Sequence, residues 1–431
     1  MRVYEYPKDL ARLDALFSAS GESNPDVLER TAEILERVRR GGDKALCALT
    51  ARFDHVRMRV EDLRVPPERL AEAWRSLPAP LQRALRLARR RILTFHRRQL
   101  HRSWTLRDAA GLTLTQRWAP LRRVGVYVPG GSAAYPSTVL MNVIPAQVAG
   151  VPEIAAVTPP ARAGVFNTAT LGALHLCGIR EVYAVGGAQA VAALAYGTST
   201  IARVHKVVGP GNAYVAAAKR LLYGTIDIDS IAGPSEVLIL ADETAPAGWI
   251  AADLLAQAEH SPDAQSLLAL IGKAGSAERV SVIQKEIARR VEASPRAEIL
   301  RESLRARGAI IRVADRAAAV ALANRKAAEH LEIVTRNPGA LARRVHHAGS
   351  IFLGAHTPEA LGDYVAGPNH VLPTGGTARF ASALGVDDFL KVTQVLEASP
   401  KGLRALGQAA ITIAEAEGLY AHAETIRERM E

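Results

Sequence analysis

An amide, a carboxylate and an imidazole stand close together in LLAQAEHSPDAQ, residues 254–265, as Gln257, Glu259 and His260. The run ahead of them is helix-forming, and Pro262 restricts Ser261 before it, so the spacing predicts a helix that stops near His260. Gln257 and His260 then lie three residues apart on one face of the last turn. One reading is a polar C-terminal turn whose histidine is favoured by the helix dipole. The other is half of a metal site, with an amide oxygen and an imidazole nitrogen aimed at one point. Of the twelve histidines, His330 in AAEHLEIV, His370 in LGDYVAGPNHVLPT and His422 in AEAEGLYAHA also sit in polar company. Zinc takes imidazole and carboxylate ligands, and a catalytic zinc keeps one position open. Gln257, His260, Asp363 and His422 are therefore candidates for one N/O ligand set. No HExxH stands in the chain, which excludes the common metallopeptidase helix.

Glu329 and His330 form a second centre of interest at the entrance to the strand-like run HLEIV. Strand neighbours point to opposite faces, so both can serve one site only from the loop just before the strand. A carboxylate tuned by burial beside an imidazole makes a suitable acid/base pair, although such a dipeptide also occurs as surface decoration. GVYVPGGS at 125–132 has the glycine spacing of a P-loop without its lysine, and GPGNAY at 209–214 does not complete GxGxxG. Both read as tight turns after strands, where parallel sheets place ligands.

These residues need a scaffold. From about residue 123, β-rich runs (RVGVYV, EIAAVTP, EVYAVGG, VHKVVG) alternate with helical patterns. A second series follows in EVLILAD, SLLALIG, AIIRVAD, HLEIVT and SIFLG. Two such series predict two doubly wound parallel-sheet domains. Residues 26–104 read as mostly helical with a break at Gly41-Gly42-Asp43, and the chain turns helical again after 380. At 431 residues, with 48% hydrophobic and 23% charged, the chain suits two or more globular cores. Two distant cysteines offer neither a disulfide framework nor a thiolate zinc site. The acidic N-terminal stretch and the lack of a long apolar run predict neither signal peptide nor membrane span, hence a soluble, cytoplasmic protein. The net charge of +11 and the segment RALRLARRRILTFHRRQLHR raise nucleic-acid binding as a possibility. Leu85, Ala88, Ile92 and Phe95 recur at helical spacing beneath those arginines, so the run reads as the wet face of an amphipathic helix, and no nucleic-acid partner is expected.

Taken together, VRRGGDKALCALTARFD, VGVYVPGGSAAYPSTVLMNVIPAQVAGV, VGGAQAVAALAYGT, VGPGNAYVAAAKR, AGPSEVLILAD, DLLAQAEHSPDAQ, HLEI, LGDYVAGPNHVLPT and AEAEGLYAHA resemble the histidinol dehydrogenases over nearly the whole chain. The resemblance implies an NAD-dependent four-electron oxidation of L-histidinol to L-histidine through histidinaldehyde, with one zinc ion per subunit held by Gln257, His260, Asp363 and His422. It assigns proton transfer to Glu329 and His330. Substrate contacts fall to Ser235, His370 and Glu417 together with His330 and the ligand set, and NAD contacts to Tyr127, Gln189 and Asn212. It also implies a homodimer whose C-terminal tails complete each other's sites. The expected organisation is an N-terminal helical segment at 1–22, a Rossmann-like domain of 23–122 plus 236–380 carrying zinc and the catalytic pair, a second Rossmann-like domain at 123–235 for NAD, and a helical tail at 381–431. Two positions depart from the family pattern: Ala328 stands where a proline usually precedes the Glu-His pair, and VTQV follows DFLK. The competing readings are a related zinc and NAD enzyme for another alcohol and, from a different class, a zinc hydrolase.

Overall fold

The computed structural model describes residues 1–18, 25–130, 135–160 and 167–431. Among them the strands are, in chain order, β1 (Arg2–Tyr6), β2 (Trp104–Arg107), β3 (Leu112–Pro120), β4 (Arg123–Tyr127), β5 (Glu153–Thr158), β6 (Glu181–Ala184), β7 (Lys206–Val208), β8 (Asp227–Ile228), β9 (Glu236–Ala241), β10 (Gln265–Ile271), β11 (Ala309–Val313), β12 (His330–Val334), β13 (Ser350–Leu353) and β14 (Leu390–Ala398). Two parallel sheets result, a six-stranded one ordered β1-β11-β10-β9-β12-β13 and a five-stranded one ordered β6-β5-β4-β7-β8. In each, strand order doubles back, between β9 and β12 and between β4 and β7, as in doubly wound folds. Runs such as EVLILA and QSLLALI are buried throughout because helices cover both faces, which is why they show no apolar-polar alternation.

Helical packing departs from the expected grouping of 23–122 with 236–380. Ile34, Leu35, Val38, Leu46 and Leu49 of the helix Pro25–Phe53 share a core with Val157, Tyr183 and Val207 of the five-stranded sheet. Leu70, Leu85, Ala88 and Ile92 pack with Val124, Val126 and Val182 on its other face. Residues 25–96 therefore cover the five-stranded sheet, supplying outer layers that its own connections do not complete. The expected break falls at Gly42, whose φ of 51° interrupts the long helix, and buried Asp43 next to it accepts a hydrogen bond from Thr200 Oγ1 at 2.8 Å. In the arginine-rich helix Ala79–His96, Leu85, Ala88 and Ile92 turn inward as expected, but Phe95 is exposed and His96 is buried. His96 stands eleven residues after Leu85, close to three full turns, so the 3.6-residue period gives it the inward place.

At the N-terminus a strand precedes the expected helix: β1 pairs with β11, and Leu13 of the helix Leu10–Ser18 enters the six-stranded sheet's core. Residues 19–22 of the expected N-terminal segment lie outside the described residues. Past residue 380 the chain makes one 3-10 turn at Asp387–Phe389 and becomes α-helical only from Pro400. Before that, the β-branched run LKVTQVLEA forms β14 and pairs antiparallel with β3 along its whole length. β3 also pairs with β2, so a three-stranded antiparallel sheet carries the helices Pro400–Ala416 and Tyr420–Arg427, which pack on each other through Ile411, Ala414 and Ala423. Trp104, Leu106, Val392, Val395, Leu396, Ile413, Leu419 and Tyr420 are exposed along this arm.

Candidate active site

Parallel strands all begin at one edge, and the candidate residues gather at the amino edge of the six-stranded sheet. Ser235 immediately precedes β9, and its carbonyl accepts from Gln265 N–H at the start of β10 at 2.9 Å. Glu329 is the last loop residue before β12 and His330 the first residue of the strand, so the two side chains share one site, with His330 Nδ1 3.7 Å from Glu329 Oε2. The helix Ala247–Ala258 runs back towards this edge and ends with Glu259 as its cap, delivering Gln257 and His260. Asp363 arrives on the π-helical turn Gly362–Ala366, placing Oδ1 3.4 Å from His330 Nε2. Arg91 fixes that turn from outside by donating to the carbonyls of Val365 and Ala366. The Asp363 carbonyl lies 2.8 Å from His370 Nδ1, which brings His370 into the same cluster.

Electrostatics follow from burial among like and opposite charges. Burial opposes a charge on His330, but the carboxylates of Glu359, Glu329 and Asp363 outweigh it and lift the imidazole to about 10. Burial pushes Glu329 up to about 7, against the pull of His330. Burial would raise Asp363 too, yet hydrogen bonding and charge from His330, followed by His370 and His260, hold it below the usual carboxylate range. Glu359, which sequence reasoning missed, is buried with Oε2 3.8 Å from His330 Nδ1. Its backbone N–H donates to Glu332 Oε1 at 2.7 Å. Glu332 stood within reach of sequence reasoning, because it lies two residues beyond His330 and so on the same face of the strand.

Gln257 is fully buried, and among the described residues neither atom of its amide has a hydrogen-bond partner. An unpaired buried amide costs about 1–3 kcal/mol, so a partner from outside the chain is expected. His260 Nδ1 lies 3.1 Å from the carbonyls of both Ala256 and Gln257, an arrangement that leaves Nε2 free as a ligand. Asp363 adds a carboxylate within electrostatic reach of His260. These donors fit zinc. His422 and Glu417, by contrast, are exposed on or beside the C-terminal helices. Among the described residues, no three His, Cys, Asp or Glu side chains of one chain form a metal cage.

The second cluster lies at the carboxyl edge of the five-stranded sheet, where β4 and β7 diverge. Tyr127 ends β4 and is buried, which lifts its phenol to about 12, and its oxygen accepts from Gly187 N–H at 3.0 Å. Gln189 is buried against the same Gly187. Asn212 caps the helix Ala213–Leu222, its Oδ1 accepting from Tyr214 and Val215 N–H at 3.1 and 3.2 Å. The GPGN turn between them is held by buried Lys219, which donates to the Gly209 carbonyl and to Asp229 Oδ1, both at 2.5 Å. Gly131 and Ser132 of GVYVPGGS lie outside the described residues. Gly209 has a φ of 112°, and a Cβ there would meet the Tyr127 carbonyl oxygen at 2.2 Å. Gly209→Ala is expected to destabilise by about 1–3 kcal/mol from backbone strain alone, with the clash adding to it. An unchanged midpoint in chemical denaturation would contradict this.

The two edges adjoin. β8 ends at Ile228 at the carboxyl edge of one sheet, and residues 229–235 lead directly to the amino edge of the other at β9.

A sequence model of one family, described as histidinol dehydrogenase, matches residues 18–430. The chain is 52% identical over 419 residues to the histidinol dehydrogenase of Nitrobacter winogradskyi, spanning 97% of this chain and 96% of that one. It is 48% identical over 431 residues to that of Methylococcus capsulatus, spanning 100% and 98%. The crystal structure of histidinol dehydrogenase from Elizabethkingia anophelis superposes with a TM-score of 0.91 at 34% identity, covering 100% of this chain and 98% of that one.

Proposed function

The chain belongs to the histidinol dehydrogenase family, and from that premise we propose that it oxidises L-histidinol to L-histidine in two NAD-dependent steps, at a zinc site completed by a second copy of the chain. The observation that carries the reading is the convergence of Glu329, His330 and Asp363, with His260 in electrostatic reach of Asp363 and, three residues before His260, the buried Gln257 amide without a partner among the described residues. Gln257, His260, Asp363 and the partner subunit's His422 would hold the zinc, while Tyr127, Gln189 and Asn212 would hold NAD. When bound, zinc supplies positive charge that grips and orients the amino and imidazole nitrogens of the substrate, and NAD accepts one hydride in each oxidation.

The chain's own groups move the protons. His330 takes the hydroxyl proton as the alcohol carbon loses hydride, giving histidinaldehyde. The carboxylates of Glu359, Glu329 and Asp363 by themselves favour the imidazolium, and zinc held by Asp363 would neutralise one of them and so favour the neutral imidazole that accepts the proton. Glu329, poised near neutrality by burial, removes a proton from the water that adds to the aldehyde. At the same time His330 gives the proton it took from the alcohol to the carbonyl oxygen, which forms the hydrate and restores the neutral imidazole. His330 then accepts a proton from the hydrate as the second hydride departs, giving the carboxylic acid of histidine, which loses its remaining proton to water to leave the carboxylate. Ser235 and His370 line the substrate's position, and the partner subunit's Glu417 offers a carboxylate that favours a cationic amino alcohol. The family assignment does not favour a hydrolase or a dehydrogenase of another alcohol.

Exposed apolar side chains on both the three-stranded sheet and the C-terminal helices support the dimer, since an antiparallel sheet of this size needs a covered face. No described helix is long and apolar enough to cross a membrane. Purified protein given L-histidinol and NAD is expected to form two NADH per histidine, to lose the activity with its zinc on chelation, and to recover it when zinc is returned. Absence of NADH would overturn the function, and full activity in metal-free protein would overturn the zinc assignment.

A further inference from the structure

Register sets Glu329 opposite Glu236, since His330 pairs with Val237 at the start of the β9–β12 ladder. There each glutamate bonds the other's backbone. Glu236 N–H donates to Glu329 Oε2 at 2.9 Å, and Glu329 N–H donates to Glu236 Oε1 at 3.3 Å. The second oxygen of Glu236 accepts from Lys326 Nζ at 2.5 Å, and the side chains of this pair are 0% and 1% exposed. The Phe17 ring of the helix Leu10–Ser18 lies with its centroid 5.5 Å from Lys326 Nζ, and Asp14 of the same helix ties it to Arg325 at 2.6 and 2.5 Å.

A buried ion pair is poor evidence of stabilisation, because apolar residues of similar volume often serve as well or better. Its place beside a catalytic carboxylate suggests another use. Two buried carboxylates side by side repel unless one is compensated. Lys326 compensates Glu236, and the crossed backbone bonds fix Glu329 with Oε2 engaged and Oε1 left to receive the water proton.

Building on the proposed division of labour, we propose that Glu236 and Lys326 are positioning residues for Glu329, needed to hydrate the aldehyde and largely dispensable for the first oxidation. The zinc-loaded enzyme is tested as Lys326→Met and as Glu236→Leu/Lys326→Met, which removes both charges together. The rates with histidinol and with supplied histidinaldehyde are measured separately, alongside Glu329→Gln. Conversion of histidinaldehyde is expected to slow about tenfold to a hundredfold through kcat, with KM retained, while the first oxidation changes far less. Equal losses in both half-reactions, or a folded double variant with wild-type rates, would overturn the positioning role. So would loss of the native circular-dichroism spectrum in the double variant, which would make the pair a folding element. If Glu329→Gln loses hydration selectively and the pair variants do not, the clamp alone fails. If Glu329→Gln shows no selectivity, the division of labour fails and the clamp with it.

Discussion

Co-refolding His260→Asn with His422→Asn chains is expected to give roughly one quarter of wild-type activity under two-fold symmetry, although each variant alone is inactive. His260 is presented at the end of the helix Ala247–Ala258, and His422 is exposed on a C-terminal helix, so in the proposed dimer one site draws them from different chains. If chains mix at random, half the dimers are mixed. One site of each mixed dimer then receives His260 from one subunit and His422 from the other, while its second site carries both lesions. An amide replaces imidazole poorly as a zinc ligand, so each single variant should also lack tight zinc by elemental analysis while keeping its circular-dichroism spectrum. No recovery in mixed dimers verified by differential tagging would place the whole site within one subunit. Full zinc occupancy and full activity in His260→Asn would remove His260 from the ligand set.

The proposed catalytic pair, Glu329 and His330, should separate by half-reaction. Glu329→Gln is expected to slow conversion of histidinaldehyde by about a hundredfold or more, because only that half needs an activated water, while the first oxidation is much less affected. His330→Asn is expected to slow both halves by a comparable factor, since each hydride departure requires its hydroxyl proton to leave. Separate rates with histidinol and with histidinaldehyde decide the matter. Equal losses for Glu329→Gln would sink the assignment.

Apolar runs made the two parallel sheets legible: EVLILAD and SLLALIG are buried on both faces and read as strands without alternation. The sequence did not say which sheet the helices of residues 25–96 cover, because an amphipathic stripe such as Leu85, Ala88 and Ile92 reveals that a face is buried but not what buries it. The same limit hid the supports of the candidate site. Lys326 and Glu236 are ninety positions apart and meet only through the neighbouring strands β9 and β12. Glu359 reaches His330 after a crossover through β13. Gln257 and His260 could be paired in the sequence because they stand three residues apart across the helix end, where His260 N–H bonds back to the Gln257 carbonyl.

The uncovered arm of β2, β3, β14 and the two terminal helices bears on how much enzyme a cell must make. If every site needs two chains, catalytic output follows the dimer concentration, which mass action ties to the square of the free monomer when chains are scarce. Output would then fall more steeply than expression at low abundance. Once pairing saturates, it would become simply proportional, so the affinity of the arm would set the expression level below which the pathway starves.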